Sequence, residues 1–187
     1  MTTTILLARH GETDWNLEGR FQGQFDPPLN GTGRAQALTL ATGLAGDGVT
    51  AVYASDLRRA AETAAIVAET LELPVTLERA LREIDVGSWS GLTREEVETR
   101  FPQGFARWRT GELTGHDGES RDQLADRVHA AVLAIASAHP GETVLVVTHG
   151  GAVRALQRAV LGEPEPLLAN CGTTRLAFVH GTLARLD

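Results

Sequence analysis

The chain has 187 residues, 42% of them hydrophobic and 22% charged, which is ordinary for one compact globular domain spanning 1–187. A net charge of −7 argues against a surface built for nucleic acid or an anionic membrane, and no apolar run approaches the roughly 18 residues a bilayer span needs. No lysine occurs and all 17 basic residues are arginine, so a Walker P-loop and a Schiff-base enzyme are excluded.

The opening MTTTILLARHGE carries no basic n-region, so no signal peptide is expected. The single Cys171 has no internal partner and fits a reducing, cytoplasmic setting. Residues 3–9 (TTILLAR) read as a buried strand. A helix is expected over 31–45, then a strand over 51–55. Residues 56–73 read as a helix capped by Ser55 and closed off before Pro74. A third strand follows over 74–78. Thr93 with Glu96, and Ser120 with Gln123, have capping-box spacing and open two more helices. The second of these carries Leu124, Val128, Val132 and Ile135 on one face and stops at Pro140-Gly141. TVLVVTH (143–149) is strongly strand-like. A helix over 150–162 follows, then two short strands around a glycine turn.

Strands alternating with helices predict an α/β fold: a three-layer αβα sandwich with a mainly parallel central sheet and an antiparallel edge from the last hairpin. The segment 85–118 holds Trp89, Trp108 and two phenylalanines. It reads as irregular, a small cap over the sheet edge.

In such sheets ligands bind outside the carboxyl ends of the strands. The first strand ends at Arg9-His10-Gly11. The second ends at Ser55-Asp56, just before Arg58 and Arg59. The strand over 143–148 ends at Thr148-His149-Gly150-Gly151. Arginine forks, glycines and helix N-termini at one edge make an anion site. A metal is disfavoured, because His10 and His149 lack the i, i+4 spacing of a helical zinc pair and arginines would repel a cation. An imidazole nucleophile must be unprotonated, and neighbouring guanidinium charges disfavour its cation.

RHGETDWN (9–16), ASDLRRAAET (54–63), LREIDVGSWSGLT (81–93) and VVTHGG (146–151) resemble, in order, the motifs of the histidine phosphatase superfamily, the phosphoglycerate-mutase-like proteins. The resemblance implies a phosphohistidine at His10. It implies that Arg9, Arg58 and His149 hold the phosphoryl oxygens, with Asn16 as a further phosphate contact. Gln22 and Gly23 would line the pocket, Gly150 would follow the second histidine, and Glu83 would donate the proton to the leaving group. Asp85 and Glu78 are its rivals for that role. No metal or other cofactor is implied, and the partner is a small phosphomonoester.

Three activities are compatible: a phosphatase, a cofactor-dependent phosphoglycerate mutase, and a non-catalytic binder of phosphorylated ligands. The mutases resembled carry an inserted basic stretch and an aromatic residue three positions after the acid. This chain has no lysine and has Val86 there, so the small-phosphatase branch is preferred. Arg59 reads as a solvated helix residue, and His129 and His139 as exposed; Arg107 and Arg109 near Trp108 are read as cap surface, with contact to a second anionic group of the substrate as the alternative. His116 lies in a loop within reach of the pocket. The oligomeric state, monomer or homodimer, is left open.

Overall fold

The computed structural model describes residues 1–110, 118–163 and 166–186. Strand β1 (Thr3–Arg9) is central. Ile5, Leu6, Leu7 and Ala8 are each no more than 1% exposed, as a strand covered on both faces requires. One helical turn follows, α1 (Asp14–Leu17), closed by a capping box between Thr13 and Asn16. Helix α2 (Gly31–Leu44) is capped by Asn30, whose Oδ1 accepts from the Gly33 amide at 2.8 Å. Strand β2 (Val49–Ala54) leads to α3 (Arg58–Leu71), and Glu72 ends that helix in the left-handed conformation, two residues before Pro74. Strand β3 (Val75–Leu77) and a 3₁₀ turn (Arg79–Leu81) complete the first half.

The second half builds α6 (Arg121–Ala138), β4 (Thr143–Thr148), α7 (Gly150–Leu161), β5 (Thr173–Val179) and β6 (Thr182–Arg185). The sheet order is β3-β2-β4-β1-β5-β6. The first four strands in that order are parallel, and β5 and β6 add the antiparallel edge. Side chains alternate between the two faces. Ile5, Leu7, Val144 and Val146 pack with α6 and α7, while Leu6, Ala8, Leu145 and Val147 pack with α2 and α3. This is the three-layer arrangement expected.

Three expectations need correction. The segment 85–118 is not irregular where it is described. It forms a 3₁₀ turn (Gly87–Trp89), α4 (Arg94–Arg100) and α5 (Pro102–Thr110), held by a small aromatic core of Trp89, Phe101, Phe105 and Trp108. Helix α4 opens at the Thr93–Glu96 capping box as expected, while α5 was not anticipated, because nine residues show too few turns for an apolar stripe to register. Ser55 does not cap α3. The N-cap residue is Leu57, whose backbone is extended and which makes no side-chain cap. His129 and His139 are half-buried, and His139 bonds Tyr53 at 3.0 Å and Glu142 at 3.1 Å. His116 lies outside the described residues.

Candidate active site

β1 and β4 are neighbours, with Arg9 opposite Thr148, so the residues after each strand meet. The His10 amide donates to the Thr148 carbonyl at 2.9 Å, and the His10 and His149 ring centroids are 5.2 Å apart. Both side chains are buried.

Their tautomers follow from their partners. His10 Nδ1 stands 2.7 Å from the Gly11 carbonyl, which only accepts. Nδ1 therefore carries the proton, and Nε2 presents a lone pair. His149 Nε2 stands 2.8 Å from Ser55 Oγ. Among the described residues that hydroxyl accepts from the Leu57 amide at 3.3 Å and has no other acceptor for its own proton than His149 Nε2, so it donates there. His149 Nδ1 then carries a hydrogen, and it has no partner among the described residues. Burial first, and then the Arg59 charge, hold both imidazoles well below their ordinary pKa. Both rings are neutral near pH 7.

The arginine assignment from the sequence is off by one. Arg58 is exposed on α3 and does not line the cleft; its amide donates to Asp26 Oδ1 at 2.6 Å. Arg59 is fully buried and points to the strand ends. Its Nη1 donates to the Phe25 carbonyl at 2.7 Å and Nη2 to the Gly23 carbonyl at 2.8 Å. One residue is about 100° of helix rotation, enough to exchange solvent for the sheet. The phase was readable: Arg59 shares a face with Thr63 and Val67, both buried. Desolvation lowers the Arg59 guanidinium to about 10, so it remains a cation. Arg9 is lowered the same way, and its Nη1 donates to the Leu168 carbonyl at 2.8 Å.

Glu83 follows the 3₁₀ turn and enters the cleft from the other side. Oε2 accepts from the Gly151 amide at 2.9 Å and Oε1 from the Ile84 amide at 2.9 Å. A Cβ at position 151 would stand 2.4 Å from Oε1, so only glycine lets the carboxyl sit on the first turn of α7. The rivals point elsewhere: Asp85 accepts from the Gly87 amide and Glu78 from the Ala80 amide.

Asn16, Gln22, Gly23 and Gly150 line the same cleft, which encloses about 640 Å³. Asn16 Oδ1 accepts from Thr13, leaving the amide NH₂ as the end open to a ligand. Gly23 has φ +49°, and a Cβ there would lie 2.6 Å from Val86 Cγ2. Three groups were not anticipated. They are Ser55 in its role on His149, Thr63, which accepts from the Gly11 amide at 3.0 Å, and Asn170, which donates to the His10 carbonyl at 3.1 Å. Asn170 sits in a stretch with no periodicity, and nothing in the sequence pointed to it.

Buried Nε atoms of Arg9 and Arg59 and Nδ1 of His149 have no acceptor among the described residues. Buried donors are rarely left so. Three of them around two neutral imidazoles suit one tetrahedral oxyanion. Among the described residues no three His, Cys, Asp or Glu side chains are grouped as metal ligands, and no helix is long and apolar enough to cross a membrane.

Comparison with known proteins agrees with this geometry. A metal-independent phosphoserine phosphatase of Arabidopsis thaliana is 44% identical over 160 residues, which cover 82% of this chain and 67% of the relative. A glucosyl-3-phosphoglycerate phosphatase of Mycolicibacterium vanbaalenii is 37% identical over 188 residues, covering 95% and 84%. The solved structure of a mycobacterial glucosyl-3-phosphoglycerate phosphatase complexed with VO3 superposes with a TM-score of 0.90 at 32% identity, covering 98% of this chain and 97% of that one. A family model described as histidine phosphatase superfamily (branch 1) matches residues 5–185, and the chain belongs to that superfamily.

Proposed function

We propose that the protein hydrolyses the phosphate monoester of a small metabolite through a phosphohistidine at His10. Nε2 of His10 attacks phosphorus while the ester oxygen departs with a proton from the Glu83 carboxyl. Arg9, Arg59 and His149 Nδ1–H hold the three phosphoryl oxygens, with the Asn16 amide and Gln22 at the rim. Water then attacks the phosphohistidine and gives its proton to the Glu83 carboxylate. Inorganic phosphate leaves and His10 is regenerated. The observation that carries this reading is the neutral His10, its Nδ1–H fixed on the Gly11 carbonyl, facing three buried donors that lack acceptors.

The mutase alternative is disfavoured. Val86 is buried against Gly23 where the resemblance expects an aromatic residue, and the chain has no lysine to clamp a second phosphate. The free thiol of Cys171 supports a cytoplasmic setting.

The test is turnover with radiolabelled monoester followed by rapid quench. Wild-type protein should release phosphate and pass through an acid-labile, base-stable phosphoenzyme, and His10→Ala should lose both. Labelling that survives in His10→Ala would move the nucleophile elsewhere. Interconversion of phosphoglycerates after priming with bisphosphoglycerate, with no free phosphate released, would make the protein a mutase.

A further inference from the structure

His10 can attack only while its proton stays on Nδ1, and the acceptor that keeps it there is the carbonyl of the very next residue, Gly11. That carbonyl has no direction of its own, because glycine leaves the chain free to turn. A group outside the segment must aim it.

The Gly11–Glu12 peptide is planar and trans, so its carbonyl and the Glu12 N–H point in opposite directions, and whatever holds one aims the other. The Glu12 amide donates to Gln36 Oε1 at 2.9 Å. Gln36 is half-buried on α2, about one turn beyond Gly33. The helix comes this near because neither facing residue has a side chain. A Cβ at Gly11 would stand 2.5 Å from the Gly33 carbonyl oxygen, and a Cβ at Gly33 would overlap the Glu12 carbonyl oxygen.

The other main-chain atoms of the pair are committed as well. The Gly11 amide donates to Thr63 Oγ1 of α3 at 3.0 Å, and the Glu12 carbonyl accepts from the Asn30 amide at 3.0 Å. The Glu12 carboxyl is drawn to Asn30 too, with Oε1 accepting from Nδ2 at 3.0 Å. Thr63 and Asn30 therefore hold the flanks, while Gln36 takes the N–H of the peptide whose carbonyl faces the ring. The result is one hydrogen-bonded row: Gln36 Oε1, the Glu12 N–H, the Gly11 carbonyl, His10 Nδ1–H. Each bond in such a row polarises the next, so the glutamine oxygen makes the carbonyl a better acceptor.

We propose that Gln36 is a positioning residue for the nucleophile: by holding the Glu12 amide it aims the Gly11 carbonyl at His10 Nδ1 and keeps the lone pair on Nε2. The proposal rests on the phosphohistidine reading and adds to it a residue that does not line the cleft.

The test resolves the two chemical steps of the full chain by rapid quench with a radiolabelled monoester. Outer-shell groups that orient metal-bound imidazoles are worth about 10–100-fold in activity, and the same order is expected here. In Gln36→Met, which keeps the length and loses the oxygen, the single-turnover rate of phosphoenzyme formation should fall about tenfold or more. Breakdown of the phosphoenzyme should stay within about threefold of wild type, because that step asks for no lone pair on His10. Gln36→Glu retains an oxygen acceptor and should label within about threefold of wild type. Gln36→Ala removes the acceptor by a second route and should repeat the methionine pattern. Labelling of the methionine and alanine variants at the wild-type rate, equal slowing of both steps, or a glutamate variant as slow as the methionine one overturns the positioning role and leaves the phosphohistidine standing. A wild type that forms no phosphoenzyme removes the proposal and the phosphohistidine reading together.

Discussion

Arg59 has no carboxylate partner among the described residues. Its two terminal nitrogens are spent on the carbonyls of Gly23 and Phe25, so its fork is fixed before any ligand arrives, and Nε is left for the anion. Pre-set donors of this kind lose little entropy on binding and strengthen as charge develops. Removing one should cost on the order of 10²–10³ in kcat. Arg59→Ala is therefore expected to lose that much, and Arg59→Lys nearly as much, because an ammonium cannot hold both carbonyls and the ligand in one plane. Arg58→Ala should stay within about twofold of wild type, as exposed substitutions away from the chemistry do. Steady-state kinetics on one monoester decides between them, and the reverse pattern would restore the assignment read from the sequence.

At the scale of elements, the position of Glu83 depends on a clamp from another helix. Arg127 of α6 donates Nη1 to the carbonyls of Ala80 at 2.8 Å and Arg82 at 2.9 Å. Its other face makes a paired contact with Glu119, through Nε at 2.8 Å and Nη2 at 2.6 Å. Glu119 in turn ties to Asp85, whose carbonyl accepts from the Glu119 amide at 2.7 Å. Residues 80–85 are thus held at both ends of the acid. Arg127 acts as a positioning residue, and its effect should depend on the leaving group. Arg127→Met should lower kcat on an alkyl phosphate by about 10- to 100-fold, part of the roughly 10²–10⁴-fold that a general acid supplies. On 2,4-dinitrophenyl phosphate, whose leaving group needs no proton, the same variant should lose no more than about threefold. Equal losses on both substrates would reduce Arg127 to a structural role.

The same scale shows how far the sequence carries. Long elements with clear period were legible: the alternation in β1 and β4 gives two covered faces, and the capping pairs at Thr93 and Ser120 form as spaced. The convergence of His10 with His149 was legible only because both ended strands, and it needed β1 and β4 to be neighbours, which pairing alone reveals. Short α5 escaped, since two turns carry little periodic signal, whereas α4, just as short, was betrayed by its capping pair. Ser55 was assigned to the nearest helix end by proximity, whereas its hydroxyl is used across 94 residues by His149.

For the whole molecule, two imidazoles kept neutral in the interior make folding a proton-release event. In the unfolded chain each histidine has a pKa of about 6.5. In the folded chain burial, reinforced by Arg59, holds His10 and His149 well below that. The unfolded state therefore binds more protons than the folded state once pH drops below about 6.5, and stability must fall as pH falls through that window. Carboxylates held low, such as Asp56 beside Arg82, enter the balance only near pH 4 and below. With both rings neutral throughout, the loss between about pH 7.5 and 5.5 should come to about 2–3 kcal/mol. Urea unfolding at the two pH values, followed by tryptophan fluorescence, measures it directly. The double variant His10→Gln/His149→Gln should flatten the dependence whatever its absolute stability, because the comparison is between slopes. A wild-type stability that does not change across this window would mean the two rings titrate in the folded protein as they do in the unfolded chain, so that His10 would be protonated, with no lone pair at Nε2 to attack phosphorus, over the lower part of the window.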